Sequence, residues 1–291
     1  MTRIRPSLSP ALRSFVVLSV VAALTVALVP LGTTRPAGAV VGGAPASIHE
    51  YPFVVALVEP GWGAAKSQFC GATLIAPDWV LTAAHCVTHP RSGKPDKANR
   101  IEALIGRDDL SRRGGERIAV DQIVVHPDRI DPDRDIDLAL VHLVRDVDAP
   151  IVALPGPDDT SLLTPGSPAR VVGWGVSTAG GNRVVRHAEA SDQLLAADVP
   201  LVSARTCRNV VDADAIGPHA FELCAGDVAN GGADACDGDS GGPLLVPTLG
   251  GYVQVGIVAW GDRGCGLPDN PGVYTRVAAA ADWIAATVAS R

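Results

Sequence analysis

Two short segments of the chain carry residue types that together can perform acyl-transfer chemistry. Ser240 lies in Gly238-Asp239-Ser240-Gly241-Gly242-Pro243, and His85 lies far upstream in Thr82-Ala83-Ala84-His85-Cys86. A serine hydroxyl is a weak nucleophile until a base removes its proton and N–H groups stabilise the oxyanion that forms. The glycines allow a sharp turn in which the N–H groups of Gly238 and Ser240 point into one pocket. The two segments predict nucleophilic catalysis, with His85 as the base.

Neither segment is specific by itself, because Gly-Asp-Ser also occurs in ordinary turns and a histidine beside a cysteine is commonly a packed structural residue. Both together, in this order and 155 residues apart, are hard to obtain by chance. At these residues the chain resembles the trypsin/chymotrypsin-like family of secreted serine endopeptidases, from about Val40 to the C terminus. The resemblance implies peptide-bond hydrolysis through an acyl-enzyme, with Ser240 as nucleophile, His85 as base, and the N–H groups of Gly238 and Ser240 as the oxyanion hole.

The histidine base needs a buried carboxylate that holds its tautomer and stabilises the imidazolium. Asp135 and Asp137 are both candidates. In the resembling family the aspartate is followed by an apolar residue, Ala and Leu, and the tripeptide Leu-Ala-Leu follows Asp137. Choosing Asp135 would place the charge of Asp137 at a small apolar position within a strand. The resemblance therefore implies Asp137 as the third catalytic residue.

The resemblance also implies where the substrate side chain binds. Asp234, six residues before Ser240, matches the floor of the family's primary specificity pocket, where an acid binds an Arg or Lys side chain. Trp260-Gly261 and Gly272 match the walls, and glycine leaves room for a long side chain. Ala235 replaces a serine that is common beside the pocket acid. This favours Arg over Lys, because a guanidinium can still bind the carboxylate with two hydrogen bonds. Without the resemblance, Asp234 would be read as a solvated loop acid.

The run Val40-Val41-Gly42-Gly43 resembles the N terminus that relatives create by proteolytic activation. There, the freed α-ammonium enters the second barrel and pairs with the aspartate before the nucleophile, here Asp239. Relatives usually carry Arg or Lys just before this point, whereas this chain has Ala39. We expect export itself to release Val40 and to yield active enzyme; an earlier cut that leaves a short propeptide is the alternative.

Two other positions depart from the family's pattern. Ala259 stands where a serine usually hydrogen-bonds the buried aspartate, which predicts a modestly lower activity. Arg107-Asp108-Asp109 follows Gly106 where calcium-binding relatives place a glutamate ligand, and a cation there disfavours the metal. We therefore expect neither calcium nor any other metal, and no cofactor.

The six cysteines all lie after residue 39, and an even number in an exported chain predicts three disulfides. No Cys-x-x-Cys pair occurs, which argues against a zinc site. The sequence alone leaves many connectivities open. The resemblance implies the pairs Cys70–Cys86, Cys207–Cys224 and Cys236–Cys265.

Residues 1–39 have the features of a secretory signal peptide. Three arginines precede an apolar run over Phe15–Val29, and Ala37-Gly38-Ala39 suits signal peptidase. An apolar helix of this length reaches about 22 Å, less than a bilayer core of roughly 30 Å, so a membrane anchor is the weaker interpretation. We expect a secreted, extracellular protein with no membrane attachment once the signal peptide is removed.

Short apolar runs bounded by turn residues recur after residue 39. No long helical pattern separates them, which indicates antiparallel strands. The one clear helical stretch, at about 278–290, is alanine-rich and carries apolar residues on one face. The resemblance implies one protease domain over 40–291 with an all-β fold. It consists of two six-stranded antiparallel β-barrels, at about 40–155 and about 156–277, and a C-terminal α-helix.

Composition and charge exclude several kinds of partner. The chain is 47% hydrophobic and 19% charged, which is typical of a compact globular protein. Removing residues 1–39 changes the formal net charge from −7 to −11, because four arginines and no acids are lost. An acidic surface argues against nucleic acid and anionic membranes as partners. We expect a monomer that cleaves peptides and proteins with Arg or Lys at the cleaved position and that binds protein protease inhibitors.

Two other functions use the same residues. A catalytically weak or silent homologue could serve as a binding module, but such proteins typically lose one of His85, Asp137 and Ser240, and all three are present. An acyl-transfer enzyme for small esters could use the same three groups. The acid at Asp234 argues against it, because that pocket suits peptides with basic side chains.

Overall fold

The computed structural model describes residues 40–89, 92–130, 136–180, 190–211 and 221–290. The signal peptide predicted at residues 1–39 lies outside these ranges. The strands of the described residues, in chain order, are β1 (Ala44–Pro45), β2 (Val54–Val58), β3 (Gln68–Ala76), β4 (Trp79–Thr82), β5 (Glu102–Ile105), β6 (Glu116–Val125), β7 (Ala139–Leu143), β8 (Pro168–Gly173), β9 (Leu195–Val202), β10 (Glu222–Ala225), β11 (Pro243–Thr248), β12 (Gly251–Trp260) and β13 (Gly272–Arg276).

The first six-stranded barrel is closed in the order β2-β3-β4-β7-β6-β5, and every neighbouring pair is antiparallel. β2 reads Val-Val-Ala-Leu-Val and is buried along its whole length. β6 instead alternates, with Ile118 and Val120 inside and Ala119 and Asp121 outside. Alternation with a period of two places one face of a strand in the core and the other in solvent.

The second barrel is formed by β8 to β13 in the order β9-β10-β13-β12-β11-β8, and the pairing of β8 with β9 closes it. β1 adds to the outside of β9 through Ala44 and Pro45. β9 alternates in the same way as β6, with Leu195, Ala197 and Val199 directed into the core. The predicted fold class is confirmed: two closed six-stranded antiparallel barrels, few helices and a C-terminal helix.

The helices are short. They are α1 (Ala64–Ser67), α2 (Ala204–Val210) and α3 (Ala281–Ala289). The predicted helix at about 278–290 begins instead with a 3₁₀ turn at Val277–Ala280, and α3 buries Ile284 against the core of the first barrel. Among the described residues, no helix is long and apolar enough to cross a bilayer.

Three disulfides cross-link the described residues, and their pairing is the one that the resemblance implies. They are Cys70–Cys86, Cys207–Cys224 and Cys236–Cys265. The first joins β3 to the turn that contains His85. The third joins the segment before Ser240 to the loop between β12 and β13. Each contributes roughly 2–4 kcal/mol to stability, mainly by restricting the unfolded chain.

Candidate active site

His85 and Asp137 lie at the ends of two paired strands. His85 lies in the 3₁₀ turn Ala84–Cys86 just after β4, and Asp137 lies two residues before β7. Thr82 of β4 pairs with Ala139 of β7. His85, which follows β4, and Asp137, which precedes β7, are therefore brought together. The antiparallel ladder of the first barrel therefore sets the distance between base and carboxylate.

The carboxylate of Asp137 accepts two hydrogen bonds from His85. Its Oδ2 lies 2.6 Å from Nδ1 of the ring, and its Oδ1 lies 2.8 Å from the backbone N of His85. Because a carboxylate only accepts, Nδ1 carries the proton and Nε2 is left with a lone pair that can act as a base. The competing candidate, Asp135, lies outside the described residues.

The pKa of Asp137 is set by opposing effects. Burial raises the pKa, but the hydrogen bonds from His85 and the electrostatic attraction of His85 and Arg129 outweigh burial, so the pKa lies below its ordinary value. Asp137 is therefore an anion at neutral pH. This is the state that orients the imidazole and stabilises the imidazolium.

Ser240 reaches the same place from the second barrel. The backbone N of Gly71 in β3 donates to the carbonyl of Ser240 over 2.8 Å. Gly241 has φ +80°, and a Cβ there would lie 2.2 Å from Oγ1 of Thr82, at the end of β4. The turn after Ser240 thus packs directly on the strand that leads to His85, and only glycine allows this approach.

Among the residues with described positions, no hydrogen bond joins Oγ of Ser240 to Nε2 of His85. Nε2 lies 3.7 Å from Sγ of Cys86. Such a bond is commonly long without substrate and shortens in the reacting complex. Cys70, His85 and Cys86 lie close enough together for a metal site, but the two sulfurs form a disulfide and offer no thiolate.

The amides of Gly238 and Ser240 are available to a ligand. The neighbouring amides of Asp239, Gly241 and Gly242 each donate to a backbone carbonyl. In the described part of the chain, the N–H groups of Gly238 and Ser240 have no protein acceptor. Gly238 has φ +95°, and its carbonyl is turned away to accept a hydrogen bond of 2.9 Å from Nε2 of Gln68. Two free amides beside a serine hydroxyl form an anion-binding arrangement of the oxyanion-hole type.

A cavity of about 110 Å³ extends from Ser240 to Asp234. The other residues predicted for substrate binding also line it: Ala235, Trp260, Gly261 and Gly272. A Cβ on Gly272 would lie 2.8 Å from Oδ1 of Asp234, so glycine keeps the carboxylate open to the cavity.

Asp234 is a buried acid with spare hydrogen-bonding capacity. Its residue surface is 3% exposed, and Oδ2 accepts a hydrogen bond of 2.9 Å from the backbone N of Gly266. Oδ1 is buried and has no hydrogen-bond partner among the described residues. Burial raises the pKa of Asp234 to about 7, although the backbone amides of Gly266 and Ala235 oppose it. A buried carboxylate of this kind is stabilised by a cationic ligand.

Asp239 is the second buried acid of the site. Its carboxylate accepts hydrogen bonds from the backbone N of Gly175, at 2.8 Å, and of Cys236, at 2.9 Å. Burial raises its pKa to about 7. Among the described residues, no cationic side chain lies within 4 Å of it. A Cβ on Gly173 or Gly175 would overlap the carboxylate, so both glycines are needed for this burial.

The Val40 segment is docked on the second barrel beside Asp234. Val40 is fully buried in that barrel's core, and the backbone of Val41 exchanges two hydrogen bonds with Asp234, of 3.0 and 3.1 Å. Val40 has φ +62°, a left-handed conformation that is strained for a β-branched residue.

One contact in the site has no signal in the sequence. Arg129, in the 3₁₀ turn Pro127–Ile130, places its Nε 3.2 Å from Oδ1 of Asp137. The two residues are eight positions apart in the chain, and neither a motif nor a charge pattern indicates that they meet. Only the three-dimensional fold brings the guanidinium to the carboxylate.

The fold and this constellation are those of a two-barrel serine hydrolase. Comparison with known proteins is consistent with this class: a family model described as Trypsin matches residues 40–284. A trypsin from Saccharopolyspora erythraea is 36% identical over 240 residues, which cover 82% of this chain and 94% of that protein. Serine protease 56 from Mus musculus is 36% identical over 258 residues, which cover 87% of this chain but 39% of that protein.

The chain therefore belongs to the trypsin family, and it is a serine endopeptidase that hydrolyses peptide or protein substrates.

Proposed function

We propose that this protein is a secreted endopeptidase that cleaves after Arg, and more slowly after Lys, through a triad of Ser240, His85 and Asp137. The observation that carries the specificity is the buried, partly unsatisfied carboxylate of Asp234 at the end of a cavity that begins at Ser240. Three disulfides in a chain whose first 39 residues read as a signal peptide support an oxidising, extracellular location.

The reaction follows from the positions of these groups. Ser240 Oγ attacks the scissile carbonyl while Nε2 of His85 takes its proton, and the amides of Gly238 and Ser240 hold the oxyanion. His85 then protonates the leaving amine, which leaves an acyl-enzyme. Water, deprotonated by His85, releases the acid and restores Ser240. Throughout, Asp137 stabilises the imidazolium without taking its proton.

The preference for Arg over Lys comes from the floor of the pocket. A guanidinium has paired N–H donors and can approach Oδ1 of Asp234 while Oδ2 keeps its bond to Gly266. The ammonium of a lysine is a compact point charge on a shorter side chain, and its three N–H donors need further acceptors. Ala235 offers no hydroxyl for it, since its side chain is a methyl group.

The assay that tests the proposal uses protein beginning at Val40 and matched arginyl, lysyl and phenylalanyl amides. Rapid cleavage of the arginyl amide, slower cleavage of the lysyl amide and little cleavage of the phenylalanyl amide are expected. Equal rates for arginyl and phenylalanyl amides would refute the pocket assignment. Binding of substrate without turnover would instead favour the silent homologue as a binding module.

Binding of a cationic ligand is expected to release a proton near pH 6.5. The pKa of Asp234 is about 7 in the free pocket, so its carboxyl is largely protonated below that pH. An amidinium or guanidinium beside it favours the anion and lowers the pKa, so up to one proton leaves on binding. Affinity should therefore weaken as pH falls below about 7. Calorimetry of an aryl amidine in buffers of different ionisation enthalpy measures the proton count; zero release at pH 6.5 would contradict the assignment.

We also propose that the free α-ammonium of Val40 pairs with Asp239 in the active enzyme. Val40 already lies in the core of the second barrel, and Asp239 is a buried acid with a raised pKa. Cleavage before Val40 removes the preceding peptide group, and with it the strained φ of +62°. The new ammonium supplies the cation that a buried carboxylate needs.

Activity is expected to depend on a free N terminus at Val40. Protein that begins at Ala39 should show at least about tenfold lower kcat than protein that begins at Val40, because the extra residue displaces the ammonium from Asp239. Both forms can be released from a fusion by a site-specific protease and compared by active-site titration, with their ends verified by intact mass. An exported protein that begins before Val40 and needs another protease for activity would instead support the short propeptide.

A further inference from the structure

Arg129 contacts the carboxylate that orients the catalytic base. Its Nε lies 3.2 Å from Oδ1 of Asp137, and the Arg129 and Asp137 side chains are 25% and 14% exposed. We propose that Arg129 is a positioning residue of this protease, which holds Asp137 against His85 and extends activity to lower pH. This inference rests on the proposed triad, because it assigns a role to Arg129 only through Asp137.

The carboxylate of Asp137 contacts two partners, His85 and Arg129. Oδ2 faces the ring of His85, and Oδ1 faces both the backbone N of His85 and the guanidinium. The hydroxyl of Thr275, on β13, donates to the backbone carbonyl of Asp137 over 3.0 Å. This bond holds the main chain of Asp137, and its carboxylate contacts His85 and Arg129. Ala259, on β12, has no side-chain donor to offer.

Among the described residues, the titratable and charged groups that face Asp137 are His85 and Arg129, and both lower its pKa against the effect of burial. A cation on the far side of the carboxylate has a second consequence. The positive charge of Arg129 offsets part of the negative charge that Asp137 presents to His85. The protonated form of His85, the imidazolium, is therefore less stabilised. The neutral ring, which is the active base, then persists to lower pH.

The fold also sets the position of Arg129. Arg129 is held on a 3₁₀ turn rather than on a long mobile loop, and its guanidinium reaches a carboxylate that is mostly shielded from solvent. An ion pair that is largely removed from water is screened less by salt than a surface pair, so its effect persists at physiological ionic strength.

The test is the pH dependence of kcat/KM for an arginyl amide, because its acid limb reports the essential base of the free enzyme. In Arg129→Gln, which keeps hydrogen-bond donors but removes the charge, the acid limb is expected to move up by about 0.5 to 1 pH unit. Arg129→Lys keeps the charge and should keep the wild-type limb. Arg112→Met removes an exposed arginine paired with Asp109 and controls for a general change in net charge.

The outcomes separate this inference from the proposed function. If Arg129 had only a structural role, Arg129→Gln would lower kcat or the melting temperature without moving the acid limb of the pH profile. This result would overturn the inference. So would an equal shift in the Gln and Lys variants. If Arg129→Gln does not fold, Arg129→Met fills the same space without charge and carries the same expectation. Wild-type protein that is inactive, or an Asp137→Asn variant that is fully active, would refute the triad itself.

Discussion

Replacing Ser240 with alanine is expected to lower kcat for an arginyl amide by about 10⁶-fold without changing the affinity of the pocket. The hydroxyl is the atom that forms the acyl-enzyme, and the described residues that line the cavity include no other serine or threonine and no free cysteine. The cavity walls and Asp234 do not depend on the hydroxyl. An aryl amidine should therefore bind the variant as it binds the wild type, and this measurement controls for folding.

Measuring kcat for His85→Ala and for the double variant Ser240→Ala/His85→Ala shows whether the two residues act as one catalytic unit or contribute independently to the rate. Ser240 and His85 act in one proton transfer, so the double variant should be no slower than either single variant. Multiplication of the two losses would mean that the residues work separately. A Ser240→Ala protein that retains more than about one part in a thousand of the wild-type rate would show that another group attacks the substrate.

The local chemistry of the site was predictable because it depends on residues adjacent in the chain. Gly238 and Gly241 have positive φ values of 95° and 80°, and this is why glycine is found beside the nucleophile. The alternating pattern of β9 likewise places Leu195 and Val199 in the core whatever the topology. That there are two barrels came from the family resemblance, because periodicity gives the strands without their pairing.

The features that the sequence could not predict depend on how segments of the chain pack in three dimensions. Arg129 looks like an ordinary charged residue in a turn until β6 and β7 pair and bring it to Asp137. The left-handed conformation of Val40 is equally invisible in the sequence, since a valine predicts extended backbone. The C-terminal helix was predicted, but its 3₁₀ first turn was not, because the local sequence pattern does not determine where one helical geometry replaces another.

The second large effect is expected from Asp234→Ser, which should lower kcat/KM for an arginyl amide by roughly 30- to 5,000-fold. The substrate guanidinium would enter a cavity whose floor no longer carries a charge, and its desolvation would not be compensated. The triad and the oxyanion amides are built from other residues, so the phenylalanyl amide should be cleaved no more slowly than by the wild type. The ratio of the two rate constants, and not either alone, reports the loss of preference.

The matched control for this variant is Asp282→Ser, which removes an exposed acid from the first turn of α3 and should leave the ratio unchanged. Removing Asp234 also removes the carboxyl group at the floor of the pocket, whose pKa lies at about 7. The release of a proton on amidine binding should therefore disappear together with the preference for Arg, because both come from the same carboxylate. A variant that lost the proton release but kept its preference for Arg would show that a different acid binds the substrate side chain.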